Sequence, residues 1–526
     1  MCGALDRALP PSGVAKARTT WALHVVMTVA LWQEPCATIT AMRRASQLAS
    51  CLLLLIASSC RTSIVEGEPD VDAQAEPSDS KHDVDATVPC HTTVLAPPDM
   101  PFAGGLAVPI DVERLTAAVT LRVAERRSIV ESRLTFSLGL TRGFPVFDLR
   151  QTPISLHLNG EPLETSLLER VEFAGTDTGG VLVLRRELDS CSRHELVVRY
   201  EMGLARDGST LPHWAQGVFW TSAFSDLIPG MLIERWFPAN LMHDSFEFEM
   251  EVEVEGGDEH TFLANGPIET IGSNHWRVNW READSSTPLW YLSRSQHILR
   301  WPDASGAVDL FYAAGLFGDQ QDEWLSIAHE AFRDFTARFG VRADMGVPYL
   351  LIVDPFGQPG GGMEYSNGAV VGRPTRDNLR HEILHAWLGR SLLPARQIDA
   401  WWDEGAATFF SADESTLLPV PLEPLDPFAP EAEPIASSDP WTRSTPLAAY
   451  TTGPRVFATI VGLLGRERVE RALRAMVEAC PHEHITHNDL REVFASIGER
   501  DAIEALFERW VIPQGDSRVH GTCRGE

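Results

Sequence analysis

Residues 380–388 read Arg380-His381-Glu382-Ile383-Leu384-His385-Ala386-Trp387-Leu388, and this stretch decides how the rest of the chain is understood. Two histidines stand four residues apart with a glutamate beside the first. On a helix, positions i and i+4 share a face one turn apart, so both imidazoles can reach one metal ion. Helix signals surround the motif. Pro374 and Thr375 suit a start, Gly389 suits a stop, and Leu379, Ile383, Leu384, Trp387 and Leu388 make an apolar stripe. Three fixed positions in five also recur in core helices with incidental histidines, so the motif alone leaves that reading open.

A third candidate ligand stands at a useful distance. Eighteen residues separate His385 from Glu404, which lies in Trp401-Trp402-Asp403-Glu404-Gly405-Ala406-Ala407. A second helix beginning near Trp401 returns antiparallel and points Glu404 at the same ion. Two histidines and one carboxylate leave a fourth tetrahedral position for water, the donor set of a catalytic zinc rather than a structural one. One Zn2+ per chain on His381, His385 and Glu404 is therefore expected. Zinc polarises a carbonyl and activates water. Glu382, facing the cleft beside the first ligand, is the candidate general base. Asp403 next to Glu404 suits either a hydrogen bond to a ligand or the surface.

The motif at this spacing resembles the gluzincin peptidases related to aminopeptidase N. Gly361-Gly362-Met363-Glu364-Tyr365 resembles that family's Gly-x-Met-Glu-Asn exopeptidase loop, and Tyr450-Thr451-Thr452-Gly453 its Tyr-x-Lys-Gly segment. Arg235-Trp236-Phe237-Pro238, followed by a strand, resembles a motif of its N-terminal β domain. The likeness spans roughly residues 90 to 515. His385 paired with Trp387, and the short length, are also similar to the glycyl aminopeptidase family.

The resemblance implies a thermolysin-like, mainly helical zinc peptidase domain acting on a peptide substrate. It implies Tyr450 as the donor to the oxyanion, where packing at a helix start is the structural alternative. It implies Glu364 as the carboxylate that binds a free α-amine, within a substrate-binding edge of Gly361, Gly362, Met363, Glu364 and Tyr365. Tyr365 departs from the family's asparagine, and Thr452 stands where it has lysine. The large C-terminal helical domain of aminopeptidase N has no counterpart, so a more open cleft is expected. Three functions follow: an aminopeptidase, an open-cleft endopeptidase, or a surface binding protein on a peptidase scaffold. Retention of Glu382 counts against the last, since binding a metal needs no base.

At 526 residues and 44% hydrophobic content the chain can bury more than one core, and two to four domains are expected. A net charge of −29 argues against nucleic acid or an anionic membrane surface as partner. Met42-Arg43-Arg44, the apolar run Leu52–Ala57 and Ser58-Ser59-Cys60 resemble a bacterial lipoprotein signal. That implies an exported chain held at the cell envelope through lipidated Cys60, with Met42 the true start. The rival is a signal or anchor over Trp21–Trp32. The run at 50–57 is too short to span a bilayer. Residues 61–88, acidic and poor in large apolar side chains, read as a solvated tether.

Cys90, Cys191, Cys480 and Cys523 follow, none at a Cys-x-x-Cys spacing, and disulfides suit an exported chain. Cys90–Cys191 with Cys480–Cys523 is the favoured one of three pairings.

From 89 to 302 the period is two. Phe246, Phe248, Met250, Val252 and Val254 alternate with glutamates, and Asn159-Gly160 marks a turn. An antiparallel β-sandwich or saddle domain is expected, making the whole α+β. Residues 303–526 form the catalytic domain, with strands at 308–313 and 347–353 and a helix at 324–339. The loop 354–362 ends in three glycines that let a ligand approach closely, or simply turn a hairpin. Residues 413–446 hold eight prolines and suit a lid or a disordered insert. Helices follow at 453–465, 467–480, 489–497 and 501–511. His482, His484 and His487 could bind a metal, but without a matching carboxylate frame they better suit an exposed loop. Oligomeric state and cleavage preference are not set by the sequence.

Overall fold

The computed structural model describes Cys90 and residues 96–523, except 177, 204–219, 222–223, 241–244, 257, 285, 295–297, 303–306, 314–319, 344–345, 354–360, 413–421 and 514–518. The chain divides into two units, Met1–Ala86 and Thr87–Glu526. The first lies outside the described residues, as do the expectations for a signal and tether. All that follows concerns the second.

Its N-terminal part is built on one large sheet. The strand order is Ile268–Gly272, His275–Ala283, Phe246–Glu255, Gly105–Arg122, Arg127–Leu138, Arg193–Met202, Pro153–Leu158 and Glu161–Leu163. Alternation does what it should: Phe246, Phe248, Met250, Val252 and Val254 are buried, while Glu249 and Glu251 face solvent beside Arg277. Asn159 and Gly160 both take positive φ, at 53° and 81°, which suits the tight hairpin between its last two strands. The sheet is mixed, however, not antiparallel throughout. Phe246–Glu255 and Phe144–Phe147 both run parallel to Gly105–Arg122. Alternation fixes which face is buried, not the direction of the neighbour; the long excursion between Arg122 and Phe246 supplies the crossover that a parallel pair needs.

A second sheet leads into the helices. Its order is Ile298–Pro302, Val308–Ala313, Tyr349–Val353, Gly368–Val371, Gly362–Tyr365, which leaves Gly362–Tyr365 at an edge. Among the described residues the helices are α1 (Gln321–Phe339), α2 (Arg376–Leu384), α3 (Trp401–Ser411), α4 (Gly453–Leu464), α5 (Arg466–Ala479), α6 (His487–Ile497) and α7 (Arg500–Trp510). Their apolar faces meet in one core around Phe335, Phe339, Trp387, Trp401, Phe410, Phe457 and Phe507. A sheet-rich N-terminal part thus precedes a mainly helical one, the α+β class expected. Disulfides join Cys90 to Cys191 and Cys480 to Cys523. No described helix is long and apolar enough to cross a membrane.

Two local expectations fail. Of the stretch 413–446, residues 413–421 lie outside the described residues; 422–446 contain neither helix nor strand, yet they form a packed strap in which Ile435, Trp441 and Arg443 are buried. Nor are all the late histidines exposed. Glu483–Ile485 pairs with Leu392–Pro394, which buries His484, and buried His487 meets Asp399 at 2.7 Å. Both results come from non-local partners that a local reading of polarity does not contain.

Candidate active site

Helix α2 starts at Thr375, whose hydroxyl accepts from the Asn378 N–H at 3.3 Å. It ends at Leu384, with His385 as its C-cap. Leu379, Ile383 and Leu384 face the core, which turns His381 and His385 toward the first turn of α3. There Glu404 Oε2 lies 3.1 Å from His381 Nε2 and 3.7 Å from His385 Nε2, and the two imidazole nitrogens are 3.3 Å apart. Ligands at about 2.0–2.1 Å from a tetrahedral zinc would stand about 3.4 Å from one another. The three donors fit such an ion.

Asp403 fixes one of them. Its carboxylate hydrogen-bonds His385 Nδ1, which leaves Nε2 to face Glu404. Of the two positions open to Asp403 from sequence, it takes the buried one. Gly389 makes room for it, since a Cβ there would lie 2.1 Å from Asp403 Oδ1.

Glu382 packs against the edge strand, near enough to His385 and Glu404 to feel their charges. A Cβ on Gly362 would lie 2.4 Å from its Cδ and Oε1. Burial pushes Glu382 well above the usual carboxylate range; His385 opposes this, while Glu364, Glu404 and Asp226 add to it. Burial also works against ionised Glu404, but His385, His381 and Tyr450 hold it at about 2. Tyr450 closes the turn Leu447–Tyr450 and hydrogen-bonds Glu404. Two glycines bring it there: a Cβ on Gly453 of α4 would lie 2.9 Å from the Gly405 Cα of α3.

The stretch expected to bind substrate, residues 361–365, is divided by the fold. Gly361 leads into the edge strand, which among the described residues pairs only with Gly368–Val371. Met363 packs into the β-domain core. Tyr365 is buried against Phe224, ring to ring at 5.4 Å, and its hydroxyl accepts from the Phe224 N–H. Glu364 is buried and ion-paired with Arg390 Nη2, while Arg390 Nη1 lies 3.9 Å from Asp284. Residues 354–360 of the glycine loop lie outside the described residues.

Sequence reading missed Asp226, Arg390 and Thr445. Asp226 arrives from the β domain. Its backbone carbonyl accepts from the Thr445 N–H at 2.8 Å, and its carboxyl group hydrogen-bonds Thr445. Burial, then Glu404 and Glu364, push its pKa well up. No local pattern marks it; Arg390, a charge that follows the apolar run Ala386-Trp387-Leu388 and Gly389, is the one visible clue. Asp226, Glu364, Arg390, Gln397, Asp403, Glu404 and Thr445 surround a cavity of about 20 Å³, room for about one water. A larger hollow, about 830 Å³ between α5, α6 and α7, holds none of these groups.

A sheet-rich part thus precedes a helical one, and two histidines and a glutamate converge between two helices. No family model matches the chain, and no curated protein does. Among solved structures, an M1 zinc metallopeptidase from Deinococcus radiodurans is similar at 18% identity and a TM-score of 0.52, covering 78% of this chain and 96% of its own. A two-domain M1 zinc metallopeptidase variant bound to L-arginine matches to the same extent. Aminopeptidase A of Legionella pneumophila, in complex with aspartic acid, is similar at 13% identity and a TM-score of 0.55, over 77% of this chain and 50% of its own. The chain has the fold of the M1 zinc metallopeptidases.

Proposed function

We propose that the chain is a zinc-dependent peptide hydrolase of aminopeptidase type. One observation carries this reading: three donor atoms converge while Glu382 stays beside them as an uncommitted carboxylate at the edge strand. Zinc held by His381, His385 and Glu404 would polarise the scissile carbonyl and activate water. Glu382 takes a proton from the attacking water and passes it to the leaving amine. The Tyr450 hydroxyl donates to the developing oxyanion. The free edge of Gly362–Tyr365 receives the peptide backbone as an added strand. Glu364 and Asp226 face the α-ammonium as carboxylate acceptors.

The test uses protein from Arg61 onward. Elemental analysis should find about one zinc per chain. Glu382→Gln should keep the metal and lose hydrolysis; an unchanged rate removes the mechanism.

An endopeptidase is the second reading, and the Arg390–Glu364 ion pair favours it, because a neutralised Glu364 is a weaker amine anchor. Peptides with free and acetylated N-termini separate the two: indifference to the acetyl group supports the endopeptidase.

Lipidation at Cys60 is likewise proposed, on the signal-like sequence before it. Cys60→Ser should then move the protein from the membrane fraction to the soluble one.

A further inference from the structure

The strap between α3 and α4 passes from the β domain to the site, and its contacts are more specific than a connection requires. Trp441 is buried in a β-domain cluster with Ala107, Val146, Phe173 and Val183, its ring 5.2 Å from that of Phe173. Two residues later Arg443, also buried, spreads its guanidinium across two buried carboxylates. Nη1 donates to Asp148 Oδ2 at 2.9 Å and Nη2 to Glu234 Oε1 at 2.8 Å. Asp148 already holds Arg150 at 2.7 Å and Arg170 at 2.9 Å, so it is fixed before the strap arrives.

Two residues further, Thr445 reaches the site. Its N–H donates to the Asp226 carbonyl, its hydroxyl meets the Asp226 carboxyl group, and it accepts from Gln397 Nε2 at 2.7 Å. Gln397 lies in the turn leading into α3, which carries Glu404. Five residues on, Tyr450 hydrogen-bonds Glu404. The loop bearing Asp226 is therefore held from both ends by one short stretch: Arg443 grips Glu234, and Thr445 grips Asp226.

We propose that Arg443 is a positioning residue, which by docking the strap on the β domain lets Thr445 hold Asp226 opposite Glu364 for recognition of the substrate's α-ammonium. This rests on the aminopeptidase reading of the same site, and it makes the insert part of the specificity machinery. A charge-assisted bidentate contact suits that task because it fixes direction as well as distance.

The experiment compares Arg443→Met, Thr445→Val and the double variant in the zinc-loaded protein. Kinetics are read on an aminoacyl anilide and its N-acetyl form, and L-leucinamide binding is read by calorimetry. Arg443→Met should raise KM for the free amine about tenfold, equivalent to about 1.4 kcal/mol of lost contact. It should leave kcat within a few-fold and zinc at one per chain, and it should lower the ratio of free to acetylated turnover. Thr445→Val should move the same ratio, and the double variant should be no worse than the stronger single one, because both act through Asp226. Arg443→Lys, which keeps the charge and one contact, should restore part of the effect and covers the case in which methionine does not fold.

A fall in melting temperature with unchanged KM, unchanged ratio and unchanged L-leucinamide affinity would overturn the proposal and leave the strap merely structural. Independent, multiplicative effects of the two variants would overturn it as well. If the wild type binds L-leucinamide without hydrolysing anything, the peptidase reading fails while the variants still decide the role of Arg443. If it binds none, the proposal falls with it.

Discussion

Gly362→Ala isolates the role of Glu382 without touching the residue itself. The Glu382 carboxylate packs on the bare Cα of Gly362, and an alanine Cβ would lie 2.4 Å from Cδ and Oε1 and 2.5 Å from Cγ. Carbon atoms rest at about 3.5–4.0 Å, so the gap must open by about 1 Å. The side chain gives way rather than the strand, because Gly362 is paired with Val371 while the end of a glutamate turns easily. The cost to folding is then the modest one of an off-rotamer side chain, about 0.5–1.5 kcal/mol. The cost to catalysis is much larger, since displacing a reacting group by about 1 Å is worth ~10² in rate. Zinc content should stay at one per chain and KM for a free-amine anilide should change little, while kcat falls ~10². Combining Gly362→Ala with Glu382→Gln should cost nothing further, as the base is already gone. A kcat within threefold of wild type refutes the reasoning. So does a further hundredfold loss in the double variant, which would mean that the alanine acts on something other than Glu382.

Asp403→Ala should weaken zinc binding ~10–100-fold, because His385 loses the partner that orients it; competition with a chelator measures this, and unchanged affinity rules the role out. Tyr450→Phe should retain zinc and lose ~10²–10³ in turnover if the hydroxyl serves the oxyanion; single-turnover kinetics with a normal rate would leave it only a packing role. The pH dependence of stability should respond to Asp399, for which burial disfavours ionisation but His487 and Arg396 more than compensate, holding it far below the usual carboxylate range. A depressed acid contributes stability that is complete above its unfolded value of about 3.9 and is lost as pH falls through the folded one. Asp399→Asn should therefore be less stable at pH 7, and its denaturant midpoint should fall less steeply than that of wild type below pH 4; parallel curves would exclude the linkage.

The parts legible in sequence are those set by neighbours along the chain. The His381–His385 helix, its Thr375 cap and the alternating strand Phe246–Glu255 follow from periodicities of 3.6 and 2. Glu404 is legible because only eighteen residues separate it from His385, so the two helices that carry them are close along the chain. What stayed hidden depends on partners far away in the chain. Nothing near Asp226 says that Thr445 will hold it, and nothing near His487 announces Asp399. The prolines of the strap disfavour helix and strand but do not forbid packing, and Trp441 with Arg443 supplies what regular structure does not. The parallel pairing in the large sheet was hidden for a related reason, since a strand's pattern records its faces and not its neighbour's direction.

The charges around the site bear on which substrate it takes. Asp226, Glu364, Glu382, Asp403 and Glu404 crowd into one buried space. Burial raises Asp226, Glu382 and Asp403, and the neighbouring acids add to this. His385 is raised too: burial opposes its protonation, but Asp403, Glu364 and Glu404 outweigh it. Both trends describe a place short of positive charge. A divalent ion at the three donors relieves the half of the space nearest Glu404 and Glu382. Arg390 relieves Glu364. Asp226, on the wall of the same cavity, is hydrogen-bonded to Thr445, and among the described residues no ion pair joins it to a cation. A peptide entering by its free N-terminus brings an ammonium to that wall, whereas an internal segment brings a neutral amide and leaves the carboxylate uncompensated. On the aminopeptidase reading proposed above, the ion pair that weakens Glu364 as an amine anchor leaves Asp226 as the second carboxylate for a free chain end. Asp226→Asn should accordingly narrow the gap between free and acetylated substrates more than it lowers turnover of the acetylated one; an undiminished preference for free amines would return the role to Glu364.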